Sequence, residues 1–213
     1  MKLRDLAELK VAVRPVEHEE NDCIKSILQE DFYPDLKVSA VSPRWYYKQI
    51  YHESDEFSKR IIRLKKCKDE TKYFEPYVKN CIDKFKSVMG FSEVELVSAI
   101  PNSNNKYYGT IINLLKIVGI KLSVDSKFVL DRKPGRRTGH HREDRFNDLH
   151  GKFKVKSGID VENKKILLID DVRASGMSIL ECSSVLLKAG AKEIISLSLG
   201  TNTSKEPPKK EGD

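Results

Sequence analysis

Apolar positions recur at three- and four-residue steps in two consecutive stretches of the chain. Phe57, Ile61, Ile62 and Leu64 predict a helix that Ser54 or Asp55 caps and that runs through Lys66. From Thr71, the positions Phe74, Tyr77, Val78, Cys81, Ile82, Phe85, Val88 and Met89 predict a longer helix, stopped by Gly90. The pattern then shortens. Val94 to Ile100 has strand character and ends in the turn-rich Pro101-Asn102-Ser103-Asn104-Asn105; Tyr107 to Val118 reads as a helix and Lys127 to Leu130 as a strand. A second unit follows the same order. Lys165 to Ile169 is a strand, Gly176 to Leu187 a helix with Gly190 as its stop, and Glu193 to Leu199 a strand. Two βαβ units with strands apolar on both faces predict an α/β fold, an open parallel sheet flanked by helices.

The segments outside these units are less regular. Residues 1–47, with a β-like run at Leu9 to Val13 and a helical pattern at Asn21 to Gln29, read as a small N-terminal extension or hood before a main domain over 48–200. Thr201 to Asp213 has two prolines and alternating charges and reads as a disordered tail. Asp131 to Lys152, rich in Arg, Lys, His and Gly, has almost no apolar period and reads as an active-site flap, with no core element in it.

Composition narrows the class. At 213 residues, with 39% hydrophobic and 33% charged residues, the chain is long enough for one globular domain with a solvated surface. Cys23, Cys67, Cys81 and Cys182 form no CxxC pair, and His140, His141 and His150 lack partners at zinc-like spacing, so reduced thiols and no zinc are expected. No run approaches eighteen apolar residues, and Met1 to Pro15 carries acids and bases where a signal peptide needs an unbroken apolar stretch; a cytoplasmic protein without a membrane partner is expected. The net charge of +7 is concentrated: Asp131 to Lys156 holds nine Lys/Arg against four Asp/Glu. That patch suits a polyanionic small molecule; nucleic acid is the less favoured reading.

The chemistry lies in Lys164 to Ser178, KKILLIDDVRASGMS. A hydrophobic strand ends in two carboxylates, followed by a short loop of small residues and the start of a helix. In open parallel sheets ligands bind beyond the carboxyl ends of the strands, so Asp170 and Asp171 arrive where a ligand would sit. Ala174, Ser175, Gly176, Met177 and Ser178 form a loop whose backbone N–H groups can close on a phosphate, aided by the positive end of the following helix. Two acids beside a phosphate cradle suit a sugar phosphate, because vicinal hydroxyls need acceptors; Mg²⁺ would offset the charge. Asp-Asp alone fits a helix cap or a structural cation equally well. The full run is far more restrictive, and no GxxxxGK[ST] loop is present.

This run resembles the phosphoribosyl pyrophosphate (PRPP) signature of the type I phosphoribosyltransferase superfamily, a strand followed by DDVxTTGxT, with Ala174, Ser175 and Ser178 at the threonine positions. The ComF-like, competence-associated branch is the most similar. Ile61-Ile62-Arg63-Leu64-Lys65, Ala99-Ile100-Pro101, Arg145-x-x-Asp148-Leu149-x-Gly151-x-Phe153 and Ala189-Gly190-Ala191 carry that likeness. The chain departs from the branch in lacking its amino-terminal CxxC element and in having Asp148 where Asn is usual. The resemblance implies the type I phosphoribosyltransferase fold and a Mg²⁺-dependent transfer of the 5-phosphoribosyl group from PRPP to an acceptor, releasing pyrophosphate. It further implies Pro101, Asn102 and Ser103 as a pyrophosphate loop, and Arg132, Lys133, Arg136 and Arg137 as flap cations over the leaving group. PRPP and an unidentified acceptor are the partners it implies, and it is compatible with a homo-oligomer. An inactive PRPP-binding regulator would keep the same motifs. Ala174 stands where 6-oxopurine enzymes of the superfamily carry a carboxylate, which counts against hypoxanthine or guanine as acceptor.

Overall fold

A computed structural model describes residues 16–20, 23–30, 33–47, 50, 54–66, 69–101, 116, 130–132 and 142–206. Strands β1 (Val16–Glu20), β2 (Cys23–Glu30), β3 (Tyr33–Ser42) and β4 (Arg44–Tyr46) come first. Helices α1 (Glu56–Lys65) and α2 (Thr71–Met89) follow, then β5 (Leu96–Ala99), β6 (Leu130–Arg132), α3 (Arg142–Leu149), β7 (Phe153–Val155), β8 (Lys165–Arg173), α4 (Met177–Lys188) and β9 (Glu193–Asn202). The main sheet runs β1-β2-β3-β9-β8-β5, with β4 also on β9. Pairs β3/β9, β4/β9, β8/β9 and β5/β8 are parallel, while β1/β2 and β2/β3 are antiparallel. This is the expected α/β architecture, a mostly parallel sheet flanked by helices.

The run Ile166-Leu167-Leu168-Ile169 is fully buried because β8 lies mid-sheet with both faces covered. Leu167 and Ile169 join Phe57, Ile61, Leu64, Phe74 and Val78 of α1 and α2; Ile166 and Leu168 join Ile179, Leu180 and Leu186 of α4. Burying side chains of this size contributes about 1.5–3 kcal/mol each. The two long helices begin and end as their sequences predict. Asp55 caps α1 by accepting the Ser58 N–H at 2.7 Å, and Gly90 ends α2 in the left-handed conformation.

Several expectations are corrected. Asn21 to Gln29 is not a helix, since Cys23 to Gln29 lie in β2. Ile24, Ile27 and Leu28 mimic a helical stripe, but the inward residues are Ile24, Ser26 and Leu28, with Ile27 45% exposed. Ser26 is polar yet faces inward, because its hydroxyl accepts a hydrogen bond from Arg173 at 2.7 Å. β1, β2 and β3, within the stretch expected as an extension, run in the main sheet. Leu130 does not extend that sheet in parallel; it pairs antiparallel with Val155 in a separate two-stranded sheet, while Lys127, Phe128 and Val129 lie outside the described residues.

The polar stretch Asp131 to Lys152 does contain a core-contacting element, α3, whose Leu149 is buried and whose Phe146 meets Tyr33 edge-on. Two apolar residues in so charged a segment leave no readable period. At the other end, Thr201 and Asn202 belong to β9, and the Thr203 N–H donates to Tyr46 O at 3.1 Å. Only residues 207–213 of the expected tail lie outside the described residues.

Candidate functional site

β8 carries Ile166 to Ile169 through the core and continues past the acids to Arg173, four residues further than the apolar run suggests. Asp170 stands opposite Ser198, and Val172 opposite Gly200, at the carboxyl end of the sheet. Each acid is tied to the backbone just ahead of it: Asp170 Oδ1 accepts the Asp171 N–H at 2.9 Å, and Asp171 Oδ1 accepts the Val172 N–H at 2.7 Å. The second Asp171 oxygen, Oδ2, lies 2.9 Å from Lys65 Nζ.

The two neighbouring acids are pushed in opposite directions. Burial, and after it the charge of Asp171, push the Asp170 carboxyl well above the usual carboxylate range. Burial also works upward on Asp171, but the charge and hydrogen bond of Lys65, with the bonds from Asp170 and Val172, outweigh it and hold Asp171 below that range. Of the pair, Asp171 is the member whose charged form the fold favours and Asp170 the member that keeps a proton more readily.

Beyond Arg173 the chain turns through Ala174, exposed, and Ser175, half-buried, to Gly176. Gly176 has φ 81°, a conformation that strains other residues, and a side chain there would meet the Leu28 methyls at 3.0 and 3.1 Å. As N-cap of α4 it offers no side chain to the first-turn amides. Ser175 Oγ accepts the Met177 N–H at 3.4 Å, and Ser178 is half-buried in the first turn. Met177 reaches the loop through its backbone alone, since its side chain is buried in the α4 core. Asp170, Asp171 and the 174–178 loop are therefore brought together at one strand-to-helix junction.

The other candidates are placed only in part. Pro101 is buried just after β5, where the Ile100 N–H donates to Ile169 O at 3.0 Å, so it starts from the strand beside the acids. Asn102 and Ser103 lie outside the described residues, as do Lys133, Arg136 and Arg137. Arg132 ends β6, in the two-stranded sheet. Among the described residues no group of three or more His, Cys, Asp or Glu could hold a metal ion. Cys23, Cys81 and Cys182 are buried thiols that form no disulfide.

Two cations at the site escaped the sequence reading. Lys65 follows Ile61 by four residues, on the side of α1 that faces the sheet, so its position was signalled by the same period that marks the core. Arg173 is 2% exposed and donates through Nη2 to Ser26 Oγ at 2.7 Å and Thr201 Oγ1 at 2.9 Å, while Thr201 and Ser42 share a further hydroxyl contact. Nothing in the local sequence marks Arg173, whose polar partners come from the far ends of the chain.

Residues 113–213, just under half of the chain, match the family model of the phosphoribosyl transferase domain. The match takes in β6 to β9 with α3 and α4, and so the whole acid-and-loop junction; it supports phosphoribosyl transfer from PRPP in general terms. No curated protein matches the chain at a significant level.

Proposed function

With the similarity of residues 113–213 to the phosphoribosyl transferase domain as premise, we propose that this protein transfers the 5-phosphoribosyl group of PRPP to an acceptor nucleophile and releases pyrophosphate. The observation that carries this reading is the junction itself: two acids at the end of a buried parallel strand, a tight loop of small residues, and a helix N-terminus opened by Gly176 at φ 81°. In the proposed complex the N–H groups of the 174–178 loop and the hydroxyls of Ser175 and Ser178 hold the 5-phosphate. Asp170 and Asp171 accept hydrogen bonds from the ribose 2- and 3-hydroxyls.

The bond from C1 of the ribose to the pyrophosphate oxygen breaks with its electron pair leaving on pyrophosphate. A bond from the acceptor to C1 forms, and the acceptor gives up a proton. Positive charge develops on the ribose ring, so the two acids also lie where they stabilise the transition state. Pro101, Asn102 and Ser103 are proposed to face the pyrophosphate, and Arg132, Lys133, Arg136 and Arg137 to neutralise it as it departs. The ComF-like branch is the proposed subtype, on the sequence stretches that resemble it.

Mg²⁺ fits the donor set in one way. Two carboxylates are too few for an all-protein cage but suit an ion that keeps water and substrate oxygens as its other ligands. Asp170 and Asp171 would hold it, and bound Mg²⁺ would neutralise pyrophosphate charge.

Thermal stabilisation tests the reading. PRPP with Mg²⁺ at a hundred times Kd stabilises by about 2.7 kcal/mol, an upward Tm shift of roughly 5–10 °C for a chain of this size. The double variant Asp170→Asn, Asp171→Asn is expected to lose that shift. Pyrophosphate release with a panel of bases and amines then separates an enzyme from a PRPP-binding regulator, which binds and releases nothing. A parent protein that PRPP and Mg²⁺ leave unshifted overturns both.

A further inference from the structure

Lys65 is outside the segment that matches the phosphoribosyl transferase domain, yet it is the residue that touches Asp171 from across the sheet. Its ammonium is 2.9 Å from Asp171 Oδ2 and 5.7 Å from the centre of the Tyr46 ring. The base from which it reaches is fixed. Lys65 ends α1, and Ile61, one turn earlier, is fully buried with its Cδ1 3.1 Å from where a Gly200 side chain would begin. The absence of a side chain at Gly200 is what lets α1 approach β9 so closely. The Asp171 carboxylate is fixed from both sides, one oxygen by the Val172 amide and the other by Lys65. The lysine side chain is 39% exposed against 12% for Asp171, so the ammonium lies toward the open side of the pair.

We propose that Lys65 is a positioning residue of the ribose site, which orients Asp171 and occupies the place beside Oδ2 that a free divalent cation would take when no pyrophosphate ester is bound. The inference rests on the PRPP-binding reading. An ammonium at hydrogen-bond distance from a carboxylate repels a second cation at the same oxygen and attracts an ester that carries several negative charges. One charge thus acts in opposite directions on the two ligands. Bare Mg²⁺ is rejected, and Mg²⁺ that arrives with the polyanionic ester is admitted.

The test uses the full chain and two titrations, MgCl₂ alone and PRPP at saturating Mg²⁺, read by calorimetry and by the fluorescence of Trp45, the single tryptophan, which adjoins Tyr46. Lys65→Met is expected to bind Mg²⁺ alone about tenfold more tightly and PRPP about tenfold more weakly, a Coulomb effect reduced by solvent exposure. Lys65→Arg is expected to restore both constants toward the parent. An ion pair of purely structural importance would lower Tm and shift both constants in the same direction or neither. Equal constants within twofold, or joint weakening, overturn the proposal. Ligand-free melts verify that the fold survives, and Lys65→Gln supplies the same comparison if the Met variant melts early. A parent that binds no PRPP ends the transferase reading by itself, and the Mg²⁺ arm still decides the role of Lys65.

Discussion

Asp170 shows how a residue proposed to bind can oppose stability. Its carboxyl is raised by burial and by Asp171, so the folded chain favours its protonated form. The stability it contributes is present below the unfolded value, about pH 4, and is lost as pH rises through the raised folded value. Asp171 has the opposite sign, because Lys65 holds it below the ordinary range; its contribution is present above about pH 4 and lost on acidification through the lowered value. Asp170→Asn keeps an oxygen for the Asp171 amide and needs no proton. At pH 7 it is expected to melt higher than the parent by roughly 2–6 °C, about 1–2 kcal/mol, as substitutions at destabilised functional positions often do. Melting curves from pH 4 to 8 should show that gain fade toward the acid end, with PRPP-dependent stabilisation absent throughout. A variant less stable than the parent at pH 7 would contradict this account.

Elements around the junction are joined by buried polar contacts of the same kind. Glu181 of α4 is buried and its Oε1 accepts the Gly151 N–H at 2.8 Å, just past the end of α3, while His150 there stacks on Phe146. This carboxylate links α3, and with it the start of β7, to the helix that begins at Met177. Burial raises its pKa against the opposing bond from Gly151, so the charge is unfavourable at neutral pH and the acceptor favourable. Glu181→Gln, which keeps an acceptor, is expected to match or exceed the parent in urea midpoint at pH 7. Glu181→Ala is expected to lose about 0.5–1.5 kcal/mol through the lost bond to the Gly151 amide. Equal losses in both variants would show that the charge, not the acceptor, holds α3. The helices whose apolar stripe is continuous, α1, α2 and α4, were legible in sequence; α3 was not, because Phe146 and Leu149 are the apolar residues of an otherwise polar sequence.

At the scale of the whole molecule, the N-terminal strands and the segment that matches the phosphoribosyl transferase domain share one sheet. β3 pairs in parallel with β9 through Ser39, Ala40 and Val41, and Leu28 of β2 packs against the Gly176 turn. Arg173, buried one residue before the loop, bonds to Ser26 from the same strand. A fragment of residues 48–213 would leave the β9 edge and the buried Arg173 without these partners. It is expected to be insoluble or to unfold without cooperativity in urea. A soluble fragment with a sharp transition would mean that residues 16–47 are an appendage after all.

The sequence by itself determined the junction of strand, acids, small-residue loop and helix. Those features are local, set by backbone conformation at Gly176, by the apolar run of β8 and by the period of α4. Tertiary structure alone decided that Cys23 to Glu30 is a strand, that Arg173 rests on Ser26 and Thr201, and that Lys65 stands beside Asp171. For the strand and for Arg173 the physical reason is the same, whereas Lys65, whose place on α1 the period did mark, meets Asp171 only across the fold. A polar side chain turned inward breaks the hydrophobic period on which pattern reading depends, and it is tolerated only because a partner distant in sequence satisfies its hydrogen bond or its charge.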